Sequence, residues 1–216
     1  MMSFPHTLVA ILIWITFLSQ GARSESPPPQ PWELPALYAV RDVAADDVLN
    51  VRAAPSARAE ILDTLAPDAT GIEITAVSPD GRWGRIPLSE TNGWISMRYV
   101  ERLPGQDSST LSLPLVCWGG EPFWNLAIDL GVADFSSPDM ESLAFTTEWI
   151  TGGPWRYALR MKALAETSQA TAVIRREECG VMSDRLAGLT VDLIIETGTG
   201  GAAPLLLSGC CNLVAR

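Results

Sequence analysis

The chain has 216 residues, of which 47% are hydrophobic and 19% charged, a composition typical of a folded globular protein. Its 15 basic and 25 acidic residues give a net charge of −10, which argues against nucleic-acid binding because phosphate contacts need clustered Lys and Arg. The sequence contains one histidine, His6. Removal of the N-terminus would leave no imidazole for Ser-His-Asp or Cys-His catalysis or for histidine-liganded zinc. We therefore predict no catalytic residue, no metal site and no cofactor.

The N-terminus contains an apolar run, Thr7–Leu18. A membrane-spanning helix needs about 20 residues, so this run has the length of a signal-peptide core instead. Small residues follow it, and cleavage after Gly21 or after Ser24 fits the small-x-small pattern. We predict a signal peptide over residues 1–24 and a periplasmic or secreted protein. An uncleaved anchor helix is the alternative, and only in that case is membrane contact expected.

The next segment is rich in proline, with five prolines in Ser26–Pro35. Proline lacks the backbone donor that helices and central strands require, so residues 25–36 are predicted to form an extended linker. A polar stretch, Pro104–Ser112, predicts a second linker over 104–114. The remaining segments alternate apolar and polar residues between Gly, Pro and Asp turns. The predicted fold class is all-β, with a small barrel over 37–103 and a second antiparallel β-barrel over 115–216.

The first of these domains shows short alternating segments separated by turn signals such as Ser78–Gly81 (SPDG). The order of Leu49–Ser56 (LNVRAAPS), Trp83–Ile86 (WGRI), Gly93–Ile95 (GWI) and Tyr99–Val100 resembles the bacterial SH3 domain, over about Leu37–Leu103. Where that family usually has Ser-Gly before the proline, this chain has Ala53-Ala54. The resemblance implies an SH3-like barrel that binds cell-wall peptides or other envelope components.

Three aromatic residues in this domain, Trp83, Trp94 and Tyr99, are candidate ligand-binding residues. Aromatic rings at the mouth of a barrel can stack on sugars or on a peptide backbone. The alternative role for both tryptophans is packing in the core or rim of the barrel.

Four cysteines, Cys117, Cys179, Cys210 and Cys211, lie in the second half of the chain. An even number in an exported domain predicts two disulfides, with three possible pairings. A bond between the adjacent Cys210 and Cys211 would be strained, so we expect each of them to reach a different distant partner. Neighbouring side chains on a strand point to opposite faces, which would let two bridges leave from opposite sides. The spacing lacks a Cys-x-x-Cys redox motif and the close pairs of a four-thiolate zinc site, so structural disulfides are favoured.

The second domain alternates from Trp124 to Leu130 and has at least five similar segments, which predicts a barrel of six or more antiparallel strands. Three motifs occur in order: Cys117 with Gly120–Trp124 (GEPFW), Cys179 with Met182–Arg185 (MSDR), and Gly209–Cys211 (GCC). Together they resemble an uncharacterised bacterial domain of exported and lipoprotein-associated proteins, over about 116–213. That resemblance implies a fold and a compartment but no mechanism. The motif residues of unknown role are Glu121, Phe123, Trp124, Asp184 and Arg185.

Three functions are consistent with these patterns. The favoured one is a non-enzymatic envelope protein whose SH3-like module binds peptidoglycan, through its peptide or glycan part, or an envelope protein. The second is a wall-active glycosidase that uses Glu121 and Asp184, because a pair of carboxylates is sufficient for glycoside hydrolysis. The third is a protein-interaction or inhibitor module. Structural roles are favoured over catalysis for both carboxylates, with Asp184 and Arg185 expected to form a salt-bridged turn.

Overall fold

The computed structural model describes residues 28–165, 167–181, 183–198 and 203–215. The predicted signal peptide and the first residues of the proline-rich segment lie outside this range. The regular secondary structure of the described chain is almost entirely β, with short 3-10 helices at Pro31–Glu33 and Met97–Tyr99, which confirms the predicted all-β class. Among the described residues, no helix has the length and apolar character needed to cross a bilayer.

Eight strands form an N-terminal module of two sheets, with the orders β4-β1-β8 and β3-β2-β7-β6-β5. The strands are β1 (Ala36–Val40), β2 (Leu49–Arg52), β3 (Ile61–Leu65), β4 (Thr70–Ile74), β5 (Ala76–Val77), β6 (Trp83–Pro87), β7 (Asn92–Ser96) and β8 (Val100–Arg102). Alternation along β2 buries Leu49 and Val51 and turns Asn50 and Arg52 outward. The buried residues of both sheets form one hydrophobic core.

Both predicted linkers pack against folded structure where they are described. Leu34, at the end of the proline-rich segment, is buried in the core of the N-terminal module. In the second linker, the amide of Gln106 accepts a hydrogen bond from Leu37 N (2.7 Å) and donates one to Leu37 O (2.8 Å). The Tyr157 hydroxyl donates to Ser108 O at 2.7 Å. Composition predicted spacers, but these contacts attach the second segment to both modules.

The remaining strands form the C-terminal barrel, a closed antiparallel barrel in which each strand pairs with the next and the last pairs with the first. The strands are β9 (Leu115–Gly119), β10 (Trp124–Asp129), β11 (Val132–Ser137), β12 (Met140–Gly153), β13 (Arg156–Ala163), β14 (Gln169–Arg175), β15 (Leu189–Glu196) and β16 (Leu205–Leu213). Closure pairs every strand on both sides and leaves no sheet edge exposed. The predicted barrel is therefore confirmed.

Two disulfides, Cys117–Cys211 and Cys179–Cys210, cross-link the C-terminal barrel. Cys117 and Cys211 face each other across the β9–β16 pair, and both point into the buried core. The neighbouring Cys210 points to the other face of β16, where it bonds to Cys179 in the connection between β14 and β15. The two bridges leave β16 from opposite faces, as strand geometry predicted.

Candidate functional site

The predicted ligand-binding tryptophans lie on the outward face of the five-stranded sheet. Along β6 and β7 the inward positions are buried, whereas Trp83 and Trp94 are half-buried on the other side. Tyr99 is not on this sheet; it lies in the 3-10 helix after β7, where the Arg98 guanidinium lies 5.5 Å from the centre of its ring. The structure thus places Trp83 and Trp94 on one face and Tyr99 in a different element.

Trp94 occupies the middle of this face between two arginines. It is in register with Arg52 of β2 on one side and with Arg85 of β6 on the other. Arg52 is fixed by donation from Nη1 to Ala59 O at 2.8 Å, and Arg85 by donation from Nε to Thr75 Oγ1 at 3.1 Å. The face therefore combines an aromatic ring with two cationic groups, which suits it to stacking and to contacts with carboxylates.

A hydrogen-bonded turn anchors Trp83 at the start of β6. The Trp83 backbone N–H donates to Ser78 Oγ at 3.1 Å, and that hydroxyl donates to Asp80 Oδ1 at 2.5 Å. The Ser78 hydrogen bond, together with bonds from Arg82, lowers the pKa of Asp80 to about 2. The turn that the sequence predicted at Ser78–Gly81 therefore orients the first aromatic residue of the site.

In the C-terminal barrel, the motif Gly120–Trp124 (GEPFW) is divided between the core and the surface. Trp124 is 1% exposed and packs beside Phe135, with ring centroids 6.3 Å apart. Gly119 leaves room for the indole, because a Cβ at that position would overlap Trp124 Nε1. Glu121 and Phe123 lie in the β9–β10 turn and are exposed. The indole of Trp124 thus helps to fill the barrel, and only the turn residues face solvent.

Asp184 and Arg185 of the second motif lie where the two modules meet. Arg185 donates from Nη2 to Asn212 Oδ1 at 2.6 Å, and its guanidinium lies 5.2 Å from the centre of the Trp118 ring. Among the described residues, the expected Asp184–Arg185 ion pair is absent. The turn is held instead by these contacts and by Asn92 of the N-terminal module, which binds the backbone on either side of Arg185.

Glu73 of β4 is the most deeply buried ionisable group at this interface, with 7% of its surface exposed. Its carboxylate accepts hydrogen bonds from Leu213 N, at 2.9 Å, and from the Asn212 side-chain amide. Burial raises the pKa of Glu73 to about 7, although these two hydrogen bonds and the charge of Arg185 act in the opposite direction. Docking of the two modules is thus coupled to a group that titrates near neutral pH.

The sequence reasoning missed three of the N-terminal residues that contact the barrel: Glu73, Arg85 and Asn92. Each lies in a segment that was recognised as a strand or turn. The contacts, however, join residues more than 90 positions apart, and local periodicity carries no information about such pairs. Asn92 in particular precedes Gly93, a combination that signals a turn and conceals the role of the amide.

Comparison with known proteins identifies the module that carries the aromatic face. Residues 47–101 match the bacterial SH3 domain family. The match confirms the predicted SH3 resemblance and includes Trp83, Trp94 and Tyr99. No curated protein and no solved structure matches the chain. The N-terminal module is hereafter called the SH3 module.

Proposed function

We propose that this protein is an exported, non-enzymatic binding protein of the bacterial cell envelope. Its SH3 module engages a cell-wall peptide or glycan, or an envelope partner that presents similar groups. The family match supports a binding module of this kind. The two disulfides support folding in an oxidising compartment, because such bonds are rare in the reducing cytoplasm.

The observation that carries this proposal is the position of Trp94 on the outward face of the SH3 module, between Arg52 and Arg85. The chain as a whole is acidic, with a net charge of −10, and so has no general attraction to anionic wall polymers. Affinity must then come from local contacts: stacking on the indole and hydrogen bonds to fixed polar groups. This surface provides both.

Retention on purified peptidoglycan tests the proposal. We expect the full chain to cosediment with peptidoglycan at low salt, and Trp94→Ala to weaken retention about tenfold, the loss typical of a central aromatic contact. Trp149→Ala is the matched control, because that tryptophan is 46% exposed but lies on the C-terminal barrel. Circular dichroism should show both variants folded. Absence of retention at low salt, or equal losses for the two variants, would contradict the proposal.

A further inference from the structure

One loop of the C-terminal barrel covers part of the aromatic face of the SH3 module. This docking loop, residues 178–187 and described at 178–181 and 183–187, lies between β14 and β15, and paired backbone hydrogen bonds join Cys179 to Ala187. The Cys179–Cys210 disulfide ties it to the outer wall of the barrel. The loop is therefore presented to the SH3 module in a constrained shape.

The loop binds the SH3 module mainly through its backbone. Asn92 Nδ2 donates to Asp184 O at 2.7 Å, and Leu186 N donates to Asn92 Oδ1 at 3.0 Å. One side-chain amide thus pairs with the carbonyl and the N–H of residues two positions apart. Such a pair recognises a peptide backbone whatever its side chains are.

Within the described part of the chain, one charged contact accompanies the backbone pair. Arg85 Nη1 lies 2.6 Å from Glu178 Oε2, and the Arg85 side chain is only 11% exposed. Arg85 and Asn92 lie on the same outward face as Trp94. Arg85 is in register with Trp94, and Asn92 precedes Trp94 by two residues on β7. The loop therefore uses an amide and a guanidinium that directly adjoin the candidate ligand-binding ring.

We propose that Arg85, Asn92 and Trp94 form a peptide-binding surface that the docking loop occupies in cis. The external ligand is a peptide that presents its backbone to Asn92 and a carboxylate to Arg85, and it must displace the loop to bind. This inference rests on the proposed binding function of the SH3 module and specifies both its ligand class and its regulation.

The contacts at this face are of a kind that a ligand can displace. The two modules have separate hydrophobic clusters, and the contacts of the loop with Asn92 and Arg85 are polar. The Glu178 side chain is 56% exposed, which keeps its ion pair accessible to solvent and to competitors. An internal ligand is present at high effective concentration, so it lowers the apparent affinity for any external peptide.

The test uses the full chain and a defined probe, a head-to-tail cyclised peptide of residues 178–187 with serine in place of Cys179. Fluorescence anisotropy of the labelled peptide measures its Kd. We expect Glu178→Arg to bind the probe about tenfold more tightly than wild type at low ionic strength, because like charges then drive the internal loop away from Arg85. Adding Asn92→Ala to Glu178→Arg should abolish that gain. Glu177→Arg, which reverses the neighbouring charge, is the matched control and should behave as wild type.

A charge swap separates loop release from nonspecific effects. Arg85→Glu combined with Glu178→Arg restores an attractive internal pair and should return probe binding to or below the wild-type level. Hydrogen exchange of residues 183–187 provides a second measurement: it should accelerate in Glu178→Arg and not in Glu177→Arg. Equal probe affinity of wild type and Glu178→Arg, or no binding to either, would overturn the inference.

The peptidoglycan assay distinguishes the two proposals. Trp94-dependent retention of a protein that never binds the cyclic probe would uphold the proposed function and overturn the cis-occupied surface. Probe binding that responds to Glu178→Arg and Asn92→Ala, without wall retention, would support the surface and overturn the wall as its target.

Discussion

The two modules of this protein differ in whether the edge strands of their β-sheets are paired. The C-terminal barrel pairs β16 with β9 and so has no edge, and both disulfides lie within it. The SH3 module contains two open sheets, and one edge strand, β4, carries Glu73 into contact with the end of β16. At this edge the second module contributes contacts to a side chain, because Leu213 N and the Asn212 amide donate to the Glu73 carboxylate. We therefore expect the barrel to be stable by itself and the SH3 module to gain part of its stability from docking.

Removing the disulfide in the barrel core should cause the largest loss of stability and should affect the two modules unequally. Cys117→Ala with Cys211→Ala opens a bridge between residues 94 positions apart, and the loop-entropy relation predicts a loss of about 4–5 kcal/mol. We expect the unfolding transition of the barrel, measured by calorimetry, to fall sharply in temperature. The SH3 transition should fall less, because it has its own core.

The second disulfide provides the control. Cys179→Ala with Cys210→Ala opens a bridge between residues 31 positions apart and should cost the barrel about 1 kcal/mol less than the first pair does. If the two pairs lowered the barrel transition equally, or if the SH3 transition disappeared with the first pair alone, the expectation that the barrel is stable by itself would be wrong.

Adding one methyl group to the barrel wall, at Gly209, should cause the next largest loss of stability. In Gly209→Ala, the new Cβ would overlap the Trp118 carbonyl oxygen and come within 2.9 Å of Trp124 Cζ2. Since neither the backbone nor the packed indole can move freely, we expect a loss of about 3 kcal/mol in urea unfolding. Gly153→Ala is the matched control, because a Cβ there meets nothing within 4 Å. Similar stabilities for the two variants would refute this account of the glycine.

The sequence predicted what depends on local pattern. Alternation identified β2, β6, β7 and β10, and the opposite orientation of neighbouring strand residues predicted how Cys210 and Cys211 diverge. Periodicity gave only a lower limit of six strands for the barrel, because the alternating segments included part of β12 but not the short strands β9 and β11.

The candidate site was predictable only in part. Family motifs pointed to Trp83 and Trp94, and both are half-buried on the outward face of the sheet. The role of Asn92 depends on the backbone of a loop in the other module, and the burial of Glu73 depends on residues about 140 positions away. Neither fact follows from the residues around them, since both arise only when the two modules dock.

Because Glu73 is buried where the two modules dock, its titration should make the stability of the docked SH3 module depend on pH. The docked carboxyl has a pKa of about 7, against an ordinary value of 4.5 for an exposed glutamate. Docking therefore takes up a proton between these values: it is most favourable below about pH 4.5 and weakens as the pH rises to about 7, above which it is constant. We expect the melting temperature of the SH3 module to fall over this window, by the equivalent of about 3 kcal/mol.

A neutral side chain at this position separates docking from the other effects of pH. Glu73→Gln should flatten the pH dependence, because the buried group no longer ionises, whereas Glu101→Gln, at an exposed position on β8 of the same module, should leave it as in wild type. Glu73→Ala should lower the SH3 melting temperature throughout the range, since Leu213 N and the Asn212 amide lose their acceptor. A pH profile that Glu73→Gln leaves unchanged would mean that the two modules meet without depending on this carboxyl, and the SH3 module would then be as autonomous as the barrel.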